Sequence, residues 1–125
     1  MKERNQKSMM DRRTAERRRA SSAHLDLDKP IYTLGVASEM LDAHPRTLMV
    51  YEQLDMVKPR RTQTNRRRYS PRDVMKLQAI QSLTRNHGVN LAGARFILAL
   101  LKSLETHGVT PPAGFRDVDV SLLEV

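Results

Sequence analysis

The sequence predicts a mainly α fold interrupted by one small β-hairpin. Three observations carry this. Apolar residues recur at helical spacing in four stretches between Leu34 and Thr106. Each stretch is preceded by a residue suited to start a helix: Thr33, the His44-Pro45 pair, the Ser70-Pro71 pair and Asn90. Between the second and third stretches lies "VKPRRTQTNRRRY", where arginines flank a polar, turn-forming centre.

The elements follow in order. Residues 1–29 are polar and charged, and Met9, Met10 and Leu25 cannot build a core, so a flexible basic arm is expected there. Its Arg17-Arg18-Arg19 run is a candidate for phosphate contact. Order is expected from about Ile31. Thr33 caps a helix starting at Leu34, whose Val36, Ala37, Met40 and Leu41 share one face. Asp42-Ala43 is a short turn. Pro45 then suits the first position of a second helix, where its missing N–H costs nothing, and that helix runs to about Gln53 with Leu48 and Tyr51 on one face. Two short helices across a tight turn make a helix-turn-helix.

Val57 to Arg61 and Arg66 to Tyr69 are expected as two strands around the turn Thr62 to Asn65. A protruding basic hairpin beside a recognition helix is a wing able to grip phosphates. Ser70 as cap, Pro71 at the first position and Asp73 two residues on then open a third helix, to about Asn86. Val74, Leu77, Ile80 and Leu83 form its buried stripe, and Gly88 suits the left-handed cap after it. Asn90 caps a fourth helix reaching about Thr106, with Ala94, Ile97, Leu98, Leu101 and Leu104 on one stripe and Phe96 and Leu100 on another. So wide an apolar surface predicts pairing with a second subunit. Pro111-Pro112 stop the helix, and 109–125 is expected as a tail with one weak apolar segment, Val120 to Val125.

Composition narrows the function. A chain of 125 residues fits one domain, here placed at 30–108. With no cysteine, disulfide scaffolds, thiolate zinc sites, iron–sulfur centres and thiol redox switches are excluded. No apolar run approaches the ~20 residues that span a bilayer, so a soluble cytoplasmic protein is expected. The net charge is +8, and residues 58–76 alone hold eight basic groups against one acidic. That stripe points to nucleic acid. The four histidines, His24, His44, His87 and His107, lack metal-ligand spacing, and His87 and His107 suit the negative ends of helices. No phosphate loop and no nucleophile–base constellation is present. Neither a metal, a cofactor nor an enzymatic activity is expected.

The order of elements, with the segments "YTLGVASEML", "HPRTLMVYE", "RRRYSPRDV" and "HGVNLAGARFIL", resembles the MerR family of transcription regulators. The "HP-TL--YE" and "GVNLAG" elements look most like its heat-shock repressor (HspR) branch. The resemblance implies a winged helix-turn-helix binding double-stranded DNA as a homodimer on an inverted-repeat promoter site, as a repressor at the nucleoid. It places the helix Pro45 to Gln53 in the major groove, with Arg46 and Thr47 near base edges and His44 at a phosphate or capping the helix. Tyr51 matches a tyrosine whose hydroxyl meets a phosphate. Arg60, Arg61, Arg66, Arg67 and Arg68 are the wing's candidate phosphate contacts. Tyr69 is expected to pack the wing on the core with its hydroxyl exposed to DNA.

Two departures stand out. Met49 and Val50 occupy positions where the family usually has an arginine and a long or aromatic residue, so one phosphate contact is missing and the Arg66-Arg67-Arg68 run is expected to compensate. No long coiled coil follows the fourth helix, so dimerisation falls to Phe96, Ile97, Leu100, Leu101 and Leu104. In the heat-shock branch the resemblance also implies an Hsp70-type chaperone as co-repressor, with Val120 to Val125 as its candidate docking segment. An excisionase-like architectural DNA-binding module and a basic RNA-binding protein are the alternatives. An attachment-site footprint marks the first, and equal affinity for structured RNA the second.

Overall fold

The computed structural model describes residues 27–124. The expected arm, with its Arg17-Arg18-Arg19 run, lies outside these residues except for its last three positions. The described elements are β1 (Tyr32–Thr33), α1 (Leu34–Met40), α2 (Pro45–Gln53), β2 (Arg60–Arg61), β3 (Arg67–Tyr69), α3 (Pro71–Asn86), α4 (Leu91–Thr106) and a 3-10 turn at Ala113–Phe115.

The helix starts are set by the expected caps. Thr33 Oγ1 accepts from the N–H of Val36 at 3.1 Å. At α3, Ser70 Oγ accepts from Asp73 N at 3.0 Å while Asp73 Oδ2 accepts from Ser70 N at 2.9 Å, a reciprocal capping box. Asn90 Oδ1 accepts from Gly93 N at 2.7 Å. Gly88, at φ +63°, takes the left-handed conformation that ends α3.

Three strands form the small sheet, in the order β1-β3-β2, all antiparallel. The hairpin strands are shorter than expected, because Met56 and Val57 turn into the core before pairing begins at Arg60. β1 has no counterpart in the sequence reading: two residues are too few to show a period. It pairs Tyr32 with Tyr69 and anchors the base of the wing.

One core unites the elements. Leu48, Tyr69, Leu77, Ile80, Leu83 and Leu98 are its largest fully buried side chains. The expected stripe of α3 is buried in full. The expected face of α1 is not. Ala37 and Leu41 are buried, but Val36 and Met40 are exposed and Ser38 is buried instead. Ser38 donates its hydroxyl to the carbonyl of Gly35 at 2.8 Å, so its burial leaves no polar atom unmatched and the helix rotates by about one position.

The C-terminal segment also joins the core. Val118, Val120 and Leu123 are buried against the helices. Lys102 Nζ donates to the carbonyls of Val120 and Ser121 at 3.2 and 3.0 Å. Asp117 accepts from His87 Nε2 at 2.8 Å, and Phe115 stacks on the His87 ring with centroids 4.8 Å apart. Arg72, at the start of α3, holds both ends of the described chain. Its Nε donates to Asp28 Oδ1 at 2.8 Å and its Nη1 to the carbonyl of Leu122.

Candidate nucleic-acid interface

The helix-turn-helix is fastened from behind by α3. Gln81 Nε2 donates to the carbonyl of Leu41 at 2.8 Å, and Arg85 Nη2 to that of Asp42 at 3.1 Å. The two residues lie four apart, on one face of α3. They satisfy carbonyls that the end of α1 leaves without helical partners. Neither was singled out in the sequence, where nothing marks a mid-helix Gln or Arg as aimed at a turn.

At α2, His44 takes extended backbone and its Nδ1 accepts from Arg46 N at 3.0 Å. Of its two expected roles, capping is thus occupied at Nδ1. Leu48 and Tyr51 face inward. Arg46, Val50 and Gln53 are exposed and Thr47 is half-buried, which makes the outward stripe of the helix. Burial pushes the Tyr51 phenol above its ordinary pKa, while the positive charge of Arg85 works against that rise. Tyr51 therefore stays neutral at physiological pH and is a hydrogen-bond donor there.

The wing is not five equivalent arginines. In the register of β2 and β3, Arg61 faces Arg67 and Arg60 faces Arg68. Opposed residues share a face of the ribbon, and neighbouring pairs alternate. The Arg61/Arg67 face turns to α2. Arg61 Nη2 donates to Glu52 Oε1 at 3.0 Å, and Arg67 Nε to Glu52 Oε2 at 3.1 Å. One carboxylate on the recognition helix thus fixes the wing. Sequence reading missed Glu52. The signal was there: it is the only acidic residue between Pro45 and Lys58 other than Asp55, and a basic hairpin follows it. Arg60 and Arg66 are exposed, and Arg68 is half-buried with Nη1 on the carbonyl of Arg67 at 3.1 Å.

Two expected site residues are corrected. The Tyr69 side chain is 0% exposed, and its hydroxyl is buried with no hydrogen-bond partner among the described residues. Burial, reinforced by the negative charge of Glu52, pushes its pKa up to about 12. Tyr69 packs the wing on the core as expected, but its hydroxyl does not reach the surface. Leu101, expected at a subunit interface, is 4% exposed and belongs to its own core. It points inward with Ala94 and Leu98, because the C-terminal segment closes over that side of α4. Ile97 and Leu104 are half-buried against the same core. Phe96 at 74% and Leu100 at 59% are exposed, and they alone of the five form a free face.

The arrangement offers hydrogen-bond donors and positive charge around one exposed helix. It holds no group of three or more His, Cys, Asp or Glu able to bind a metal among the described residues. The family model described as MerR HTH family regulatory protein matches residues 32–101, from β1 to α4. The chain belongs to the MerR family. The match covers the helix-turn-helix, the wing and both following helices. A Streptomyces coelicolor relative named as the heat shock protein HspR is 41% identical over 83 residues, which make up 66% of this chain and 55% of that protein. The GlnR HTH-type transcriptional regulators of Bacillus anthracis and Bacillus cereus are each 35% identical over 80 residues, 64% of this chain and 60% of theirs. The chain spans more than half, but less than two thirds, of the length of these MerR-family relatives. Among the described residues, no helix is long and apolar enough to cross a membrane.

Proposed function

We propose that the protein represses transcription as a homodimer, with two recognition helices and two wings on an inverted repeat in its target promoters. The observation that carries this reading is the Glu52 clamp. By fixing Arg61 and Arg67 it joins α2 and the wing into one unit, with Arg46 and Thr47 outward on the helix and Arg60 and Arg66 outward on the wing. Phosphate contacts position such a unit and base contacts specify its site. His44 Nε2, the Tyr51 hydroxyl and Arg68 complete the proposed contact set. Its place of action is the nucleoid, in the cytoplasm.

Dimerisation is proposed through α4. Phe96 and Leu100 stand four residues apart on one helical face, and Phe96 borders a concavity with Leu91, Arg95 and the exposed Leu54. A two-fold contact sets one such face against its own copy. The repressor role and regulation by heat shock rest on the likeness to HspR. So does an Hsp70-type co-repressor, whose expected docking segment keeps Val120 and Leu123 in the core.

The test is sedimentation and DNA binding of the wild type and of Phe96→Glu. A wild-type dimer that prefers an inverted repeat to a half-site, with a monomeric variant that does not, is the expected result. A strictly monomeric wild type at micromolar concentration would remove the dimer.

A further inference from the structure

The outward stripe of α2 holds one exposed large apolar side chain. Val50 is 38% exposed and lines a shallow concavity with His44, Arg46 and Thr47. The fold does not require it there. The core-facing positions of α2 are Leu48 and Tyr51, and a β-branched residue is a poorer helix former than Ala, Lys or Gln. Water is an unfavourable neighbour for its two methyl groups.

The major groove supplies a matching surface. Among the base edges displayed there, the C5-methyl of thymine is the apolar group. Valine in a helix is held close to a single rotamer, so it meets such a methyl with little loss of side-chain freedom. We propose that Val50 reads a thymine in each half-site through its C5-methyl. The inference rests on α2 being the recognition helix. Val50 lies four residues after Arg46, about 6 Å along the helix axis at 1.5 Å per residue. Base pairs stack about 3.4 Å apart. The thymine therefore falls within about two base pairs of the one that Arg46 faces.

The test begins with duplexes selected from a randomised pool by the purified full-length protein. In the selected half-site each thymine is replaced in turn by uracil, which removes only the methyl. Affinities of the wild type and Val50→Ala are compared on every duplex, with circular dichroism and thermal melting to verify the variant's fold. At one position uracil lowers wild-type affinity about four-fold, the effect of one methyl lost from a buried contact. Val50→Ala binds thymine and uracil alike at that position and keeps its other base preferences. A clear selected sequence with no uracil effect, or with the same effect in Val50→Ala, overturns this inference alone. A pool that yields no preferred sequence overturns both this inference and the sequence-specific reading beneath it.

Discussion

Arg67 Nε donates to both carboxylate oxygens of Glu52, at 3.2 and 3.1 Å, across the gap between the wing and the recognition helix. Arg61 shares the same carboxylate from the opposite strand. The wing of this protein is thus divided by strand alternation into an inner pair that sets its angle and outer arginines open to a polyanion.

Glu52→Gln separates these roles. It releases Arg61 and Arg67, so the salt dependence of DNA binding steepens, by about 0.9 in logarithmic slope for each arginine that takes up a phosphate. The wing also loses its fixed angle, and the ratio of specific to non-specific affinity falls. Titrations on selected and random duplexes at several salt concentrations measure both. An unchanged slope with an unchanged ratio contradicts the clamp.

Arg60→Ala with Arg66→Ala has the opposite signature. Both side chains are exposed. Binding weakens by a similar factor on every duplex, the logarithmic salt slope falls by about 0.9 for each of the four arginines a dimer loses, and stability to urea changes by less than about 0.5 kcal/mol. A loss confined to one sequence is inconsistent with phosphate contact.

Arg46→Ala relaxes sequence preference at one base pair of each half-site, at about 1–3 kcal/mol per site. Selection experiments with both proteins show it as one column of the preferred sequence losing its information. Identical preferences rule out Arg46 as a base reader.

The C-terminal segment predicts an acid response. The hydrogen bond from His87 holds the Asp117 carboxyl below its ordinary value of 3.8. A carboxyl lowered in the folded state stabilises it above the ordinary pKa and loses that contribution as pH falls through the folded one. The carboxylate's contribution to the stability difference between wild type and Asp117→Asn is therefore lost only as pH falls below about 4. At neutral pH, hydrogen exchange of the backbone from Val118 to Leu123 is faster in the variant. Equal exchange in the two proteins shows that the pair does not hold the segment.

Much of this was legible in the sequence for a physical reason: helix boundaries are set by local chemistry. Thr33, His44, Ser70 and Asn90 cap the helices they precede, and the bounds of α2, α3 and α4 are those expected. The stripe of α3 was readable because a long helix repeats its period several times. Features that depend on distant parts of the chain were not readable. β1 exists because β3 is there to pair with it. Tyr69 loses its hydroxyl to the interior because the sheet base lies under the wing. Leu101 belongs to its own core because residues 118–123 return over α4. The basic stretch was legible as a hairpin, but the division of its arginines between those held by Glu52 and those left exposed needed the register of β2 and β3.

Genome-wide footprinting with the purified protein tests the central claim most directly. The account predicts protected sites that share one inverted repeat, lie over promoters, and are protected more weakly by Arg46→Ala, whose footprints no longer share the base pair that Arg46 reads in each half-site. Footprints scattered without a common motif, or protection that survives Arg46→Ala unchanged, would contradict it.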